Sequence, residues 1–231
     1  MARLRAGVLI SGRGSNLAAL IEACRQPDYP AEIALVIANR PEAPGLAHAR
    51  QAGLPCMALD HRAVADRAAF DAVIDGHLRN AGAELVCLAG YMRLLSQDFL
   101  ARWHDRVINI HPSLLPAFRG MNAQAQALAA GVKLAGCTVH VVRHEVDSGP
   151  IIAQAAVPVL AEDTAERLAE RILAAEHRLY PLALRLWAEG RVRIRGDVAD
   201  IAGPIVGPGE RPRATGRESE TPIDRILLSG G

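Results

Sequence analysis

The chain has 231 residues, half of them hydrophobic but only 3% aromatic, with 26 basic against 25 acidic side chains. So even a balance gives no bulk attraction for nucleic acid or an anionic membrane surface, and an anionic ligand must be held by a local site. No apolar run approaches the roughly 20 residues of a membrane helix, the N-terminus lacks a signal-peptide pattern, and four scattered cysteines without a CxxC pair read as free thiols, so a cytoplasmic protein is expected.

Aliphatic runs and helical periodicities alternate through the first half. A strand over Ala6–Ile10 leads into the polar loop Ser11–Gly14 and a helix from Ser15 to about Arg25. A second strand, Glu32–Ala38, precedes a helix near Pro44–Ala52. The short strand Cys56–Ala58 is followed by an amphipathic helix through Phe70, Val73, Ile74 and Leu78. The run Leu85–Leu88, a helical turn after Ser96 and a strand over Arg106–Ile110 complete this half. Such alternation implies βαβ units, a parallel sheet and right-handed crossovers.

Past the loop His111–Asn122 and a short helix near Ala123–Ala130, two β-rich runs follow in succession, Gly136–Arg143 and Ile151–Val159. Asp147-Ser148-Gly149-Pro150 between them has turn composition, so this pair is expected to be antiparallel. A long helix from about Thr164 carries Leu168, Ile172, Leu179 and Leu182. From Gly203 the sequence is rich in Gly, Pro and charge and reads as a flexible tail, 203–231. The expected fold class is α/β: a Rossmann-like, mainly parallel twisted sheet flanked by helices, with an antiparallel C-terminal portion.

Three motifs carry chemistry. The first, Ser11-Gly12-Arg13-Gly14-Ser15-Asn16, follows a strand and opens a helix, where backbone N–H groups and the helix dipole favour a phosphate. A tight turn with Ser15 or its neighbour as N-cap explains the same residues equally well. Leu17 stands where a dinucleotide fingerprint needs its third glycine, the second strand ends in Asn39-Arg40 and not an acid, and GxxxxGK[ST] is absent. A single phosphate on a small ligand remains the best guest. The second motif is Asn109-Ile110-His111-Pro112, in which an aliphatic strand delivers an amide and an imidazole to one face near its C-terminal end. Together they suit acyl transfer, the amide stabilising an oxyanion and the imidazole handling protons. Asp147 belongs to the third, the turn His144–Pro150. A carboxylate beside His111 would favour the imidazolium, although in isolation these residues make an ordinary Asx-type turn.

Other combinations weigh less. His140 and His144, four apart on an expected strand, lie roughly 13 Å apart, too far to share a metal, and no HExxH or CxxC occurs, so no metal is expected. Ser113 adjoins His111 only in sequence, which does not make it a nucleophile. Glu176-His177 on the last helix reads, by itself, as a solvated face.

Together the motifs resemble the folate-dependent formyltransferases, from about Val8 to Arg193, through SGRGSN, AGYMRLLS at 89–96, INIHPSLLPAF at 108–118, GCTVHVV at 136–142, DSGPII at 147–152 and AEHRLYP at 175–181. The first and last of these narrow the resemblance to the branch acting on glycinamide ribonucleotide and to the related formyltetrahydrofolate hydrolases. The resemblance implies a formyltransferase fold over 1–202 and transfer of the formyl group of 10-formyltetrahydrofolate to the amine of glycinamide ribonucleotide, in purine synthesis, through a tetrahedral intermediate. Asn109, His111 and Asp147 match the catalytic trio. Gly14, Ser15 and Asn16 would hold the phosphate and Glu176 the ribose. Arg67 with Met92, Arg93, Leu94 and Leu95 would line the folate pocket, closed by Arg143, His144, Glu145 and Val146. Asn122 stands where many members have histidine, so a proton-carrying role there is not expected.

The implied partners are these two small molecules, with no nucleic acid and no membrane, in a monomer or homodimer. A formyltetrahydrofolate hydrolase is the main alternative. Those enzymes usually carry an N-terminal regulatory domain, and a methionyl-tRNA formyltransferase carries a C-terminal tRNA-binding domain; neither is expected here. The non-enzymatic alternative is a nucleotide-binding module that kept the phosphate loop.

Overall fold

The structure is a computed structural model describing residues 2–64 and 66–203. Apart from Gly203, the tail expected from the sequence lies outside the described residues. In chain order the elements are β1 (Leu4–Ile10), α1 (Ser15–Cys24), β2 (Ala31–Ala38), α2 (Leu46–Gln51), β3 (Cys56–Ala58), a 3-10 turn (His61–Ala63), α3 (Arg67–Asn80) and β4 (Leu85–Leu88). There follow α4 (Gln97–Arg102), β5 (Val107–His111), α5 (Ala123–Ala129), β6 (Leu134–Val141), β7 (Ile151–Pro158), α6 (Ala165–Ala188), β8 (Val192–Arg195) and β9 (Val198–Ile201).

Seven strands form one sheet in the order β3-β2-β1-β4-β5-β6-β7, parallel through β5 and antiparallel from β5 to β7. Both faces of the parallel part are covered, which is why its strands read as unbroken aliphatic runs. Val8 and Ile10 face α1 and α6, whereas Leu9 between them packs with Phe70, Ile74 and Leu78 of α3. Capping sets where the helices begin: Asp66 accepts from Ala69 N at 2.8 Å, and Ser96 and Thr164 accept from Phe99 N and Arg167 N. The four cysteines are free, and burial pushes the Cys24 and Cys137 thiols up to about 12, so neither is poised as a nucleophile. Among the described residues no helix is long and apolar enough to cross a membrane.

Several expectations shift. Val73 is 45% exposed, so the buried stripe of α3 runs through Phe70, Ile74 and Leu78 without it. Leu182 on α6 is only half-buried. β6 ends at Val141 and not Arg143, and residues 142–150 form a long connection where a short turn was expected. The hairpin of β8 and β9 was not anticipated. Its two-residue connection, Gly196-Asp197, places Gly196 at φ +60, the left-handed conformation that tight hairpin turns demand.

Candidate active site

β5 is the strand at which the sheet changes from parallel to antiparallel, and two of its last three residues, Asn109 and His111, are polar. Asn109 pairs directly with His140 of β6, and His111 with Thr138. Directly opposed residues share a face, so all four side chains gather on one side of the sheet. Thr138 is fully buried; its hydroxyl donates to Ser113 O at 2.7 Å and accepts from Leu115 N at 3.0 Å. Gln154 adds a bond to Leu115 O, and Ser113 Oγ donates to Ala117 O, so the His-Pro-Ser-Leu-Leu-Pro loop is fixed from three directions. Ser113 is thereby committed to its own loop and not to His111.

His111 is 5% exposed and each of its ring nitrogens faces an acceptor. Nε2 lies 2.9 Å from Phe118 O and Nδ1 3.2 Å from Asp147 Oδ2. An imidazolium, with two N–H donors, satisfies both contacts; a neutral ring satisfies one. His140 sits between two partners. Its Nδ1 faces Val141 O, and Nε2 lies 3.3 Å from Asn109 Nδ2 and 3.6 Å from Asp147 Oδ1, where it can accept from the first or donate to the second. Burial alone would raise the Asp147 pKa, but the contact with His140, the bond from Gly120 N at 2.9 Å and the His111 charge outweigh it and hold the carboxyl below its ordinary range.

Asp147 reaches this strand because the 142–150 connection doubles back. Its own backbone is left-handed, with φ 51, a conformation that Asp tolerates better than most residues. Gly149 presses on the end of β6 so tightly that a Cβ there would lie 1.9 Å from Val141 O. Only glycine fits, which gives the Asp-Ser-Gly-Pro turn its composition a purpose beyond bending.

The loop after β1 lies at the same carboxyl edge of the sheet, since β1, β4 and β5 are parallel. Gly14, left-handed at φ 73, is the N-cap of α1 and makes no side-chain cap bond, so of the two expected caps it is the neighbour of Ser15 and not Ser15 itself. The first-turn N–H groups are thus not capped by a side chain, as an anion site requires. Behind the loop Gly45 N donates to Gly12 O at 2.9 Å, and a Cβ on Gly14 would lie 2.7 Å from Gly45 Cα. Asn16 Nδ2 donates to Glu176 Oε2 at 2.7 Å, and Glu176 is 6% exposed, so the solvated-face reading of that residue fails. One turn along α6, Tyr180 Oη lies within 3.0 and 3.1 Å of Leu88 O and Ile108 O, touching β4 and β5 beside Asn109.

A cleft of about 530 Å³ is lined by His61, Arg62, Val64, Arg67, Arg93 and Leu94. The adjoining loop starts with Met92 N donating to Ser11 Oγ at 2.8 Å and ends with Ser96 N donating to Asp71 Oδ2 at 2.6 Å. Met92 and Leu94 project outward between these ties, whereas Leu95 is buried in the core. His144 lies 3.3 Å from Gln97, beyond β6 and not on it. Val146 is exposed, and Glu145 with it. Arg143 is turned toward Asp105 at 2.5 Å, away from the cleft lining. Asn122 is exposed, left-handed at φ 60, and begins α5 without a cap bond. Sequence reasoning missed His140 and Gly45. The signal for His140 was available, because it interrupts the aliphatic run of β6 as Asn109 and His111 interrupt β5.

Known proteins share this fold. The crystal structure of glycinamide ribonucleotide transformylase 1 from Symbiobacterium toebii is 54% identical, covering 86% of this chain and 94% of that one, with a TM-score of 0.84. The phosphoribosylglycinamide formyltransferase of Escherichia coli is 39% identical over 87% of this chain and 95% of its own. Trifunctional purine biosynthetic protein adenosine-3 of Bos taurus is 50% identical over 83% of this chain, which spans only 19% of that longer protein. Residues 4–184 match the family described as formyl transferase, and the chain belongs to that family.

Proposed function

We propose that the chain transfers the formyl group of 10-formyltetrahydrofolate to the amine of glycinamide ribonucleotide, a step of purine biosynthesis. One observation carries the reading: Asn109, His111 and Asp147 meet at the carboxyl end of β5, on the same sheet edge as an uncapped glycine loop. The similarity to proteins named for this reaction supports it.

The ribonucleotide phosphate would sit on the N–H groups around Gly14, Ser15 and Asn16, with Glu176 near the ribose. The cleft suits a folate: Arg62, Arg67 and Arg93 match the glutamate carboxylates, the only anionic groups of that molecule, and Met92 and Leu94 offer apolar surface. In the reaction the amine lone pair forms a bond to the formyl carbon, whose carbonyl electrons move to oxygen. Collapse then breaks the bond to the folate N10, which receives a proton as the amine gives one up. Asn109 would donate to the developing oxyanion through the amide proton that His140 does not engage. His111 would act mainly through positive charge, since both its nitrogens are occupied, and Asp147 would keep that charge in place.

A hydrolytic reading is kept because a formyltetrahydrofolate deformylase from Pseudomonas syringae is 29% identical with a TM-score of 0.79. One assay separates the two. The protein is given 10-formyltetrahydrofolate with and without glycinamide ribonucleotide, and tetrahydrofolate and free formate are both followed. Folate product that appears only with the amine supports transfer; formate released without it selects the hydrolase, and no turnover in either case favours a binding module.

A further inference from the structure

The 142–150 connection, which carries Asp147, leaves β6 beside the start of β5, because these two strands run antiparallel. Backbone bonds close its base: Val142 N donates to Val107 O and Val141 N to Pro150 O, both at 2.8 Å. Arg143 stands at this base. Its Nη2 donates to Asp105 Oδ1 at 2.5 Å, in the turn between α4 and β5, and both side chains are less than a third exposed. Its stem lies against the returning leg of the connection, where a Cβ built on Gly149 would be 3.0 Å from Arg143 Cγ. One side chain thus touches the turn before β5 and the residue two positions past Asp147.

Asp105 is left-handed at φ 57, and its second oxygen, Oδ2, lies 3.2 Å from His104 Nδ1, so Oδ1 is the one that serves Arg143. A second tie follows one residue along the connection, where Gln97 Nε2 of α4 donates to His144 Nε2 at 3.3 Å. Arg143 does not border the cleft lined by His61, Arg67 and Arg93. Its place is the base of the loop, with a charge contact on one side and a packing contact on the other. A carboxylate that must stay within about 0.5 Å of its working position needs such support from the residues around it.

We propose that Arg143 is a positioning residue: bridging Asp105 and Gly149, it holds the 142–150 connection so that Asp147 stands against His111, and it does not contact the co-substrate. The inference rests on the formyl-transfer reading above. Asp105→Asn removes one charge of the pair, and asparagine tolerates the left-handed backbone there. Arg143→Gln removes the other. Each is expected to lower kcat about threefold to fivefold, the scale of a part-exposed ion pair, with KM for 10-formyltetrahydrofolate and for glycinamide ribonucleotide within about twofold of wild type. The double variant loses no more than either single one, because the two side chains act as a unit. Arg143→Lys, which keeps the stem and the charge, is expected to recover most of the loss. A rise in KM for 10-formyltetrahydrofolate in Arg143→Gln but not in Asp105→Asn is the mark of a direct co-substrate contact and overturns the proposal. An unchanged kcat in both variants, or losses that multiply in the double variant, overturns it too. Should Asp105→Asn not fold, the two Arg143 variants still decide: a fall in kcat that lysine recovers supports the proposal, and one that lysine leaves in place overturns it. A wild-type protein that makes no tetrahydrofolate with both substrates present sinks the formyl-transfer reading itself, an outcome distinct from normal turnover that these variants leave unchanged.

Discussion

Asn16 and Glu176, 160 positions apart, are joined by a 2.7 Å hydrogen bond from the Asn16 amide to Glu176 Oε2. The bond ties the glycine loop after β1 to the long C-terminal helix and leaves Asn16 Oδ1 without a partner in the interior. Burial raises the Glu176 pKa, and the Asn16 bond only partly offsets that rise. A carboxyl whose pKa is higher in the folded than in the unfolded state lends its full stabilisation below the unfolded value of about 4.3 and loses it as pH rises through the folded value.

Glu176→Gln, which keeps an acceptor for Asn16 without the charge, should therefore gain stability relative to wild type as pH rises. Urea midpoints at about pH 4 and about pH 8 read this directly. A difference of the same size at both values would show that charge burial is not the cause. The same variant should bind glycinamide ribonucleotide less tightly, through the proposed ribose contact.

Asp147 has the opposite sign. Burial pushes its pKa up, but His140, the Gly120 amide and the His111 charge together bring it below its usual value. Its stabilisation is present above the unfolded aspartate value of about 3.9 and disappears as pH falls through the lower folded value. Asp147→Asn should cost about 1–3 kcal/mol near neutrality, and the two proteins should converge in strong acid. Parallel denaturation curves across the whole acid range would contradict the assignment. kcat should fall as well, since His111 loses the partner for its charge.

Removing the amide of Asn109 tests the oxyanion role. Asn109→Ala should lower kcat by about 10²–10³-fold, or about 2.7–4 kcal/mol, with little change in either KM. Near-normal turnover would leave the amide with a structural role only, as a partner of His140.

Gly45 has an ordinary helical φ of −60, so its requirement is purely steric. A Cβ there would meet Ile10 Cδ1 at 2.8 Å, Gly12 O at 2.9 Å and Gly14 Cα at 3.0 Å. Gly45→Ala should cost about 1–3 kcal/mol of stability and raise KM for the ribonucleotide more than for the folate. Thermal melts and paired KM values check both parts; equal effects on the two substrates would mean that the strain spreads beyond the glycine loop.

Much of this was legible in the sequence, for identifiable reasons. The glycine loop and the Asn109–His111 strand end stood out because polar residues interrupt continuous aliphatic runs. His140 interrupts β6 in the same way, yet its role needs the register that places it opposite Asn109, and register is a long-range property. Asp147 could be joined to His111 only through the resemblance, because no spacing rule foretells that the 142–150 connection folds back on Val141. Glu176 looked solvent-facing beside His177, since the helical pattern alone does not reveal that α1 covers it. The β8–β9 hairpin was missed although Gly196-Asp197 between alternating residues is a recognisable hairpin signal.

Helix α6 has one more consequence. Glu176 and Tyr180 are one turn apart, about 6 Å along the axis, the first gripping the glycine loop and the second touching the strand that carries Asn109. The helix thus works as a gauge with two marks. Arg178 between them is exposed and can vary in kind while both marks stay in phase, whereas Leu179 is buried in the core. Inserting or deleting a single residue there turns one mark about 100° away from the other, so at the exposed position a change of kind is tolerable and a change of length is not.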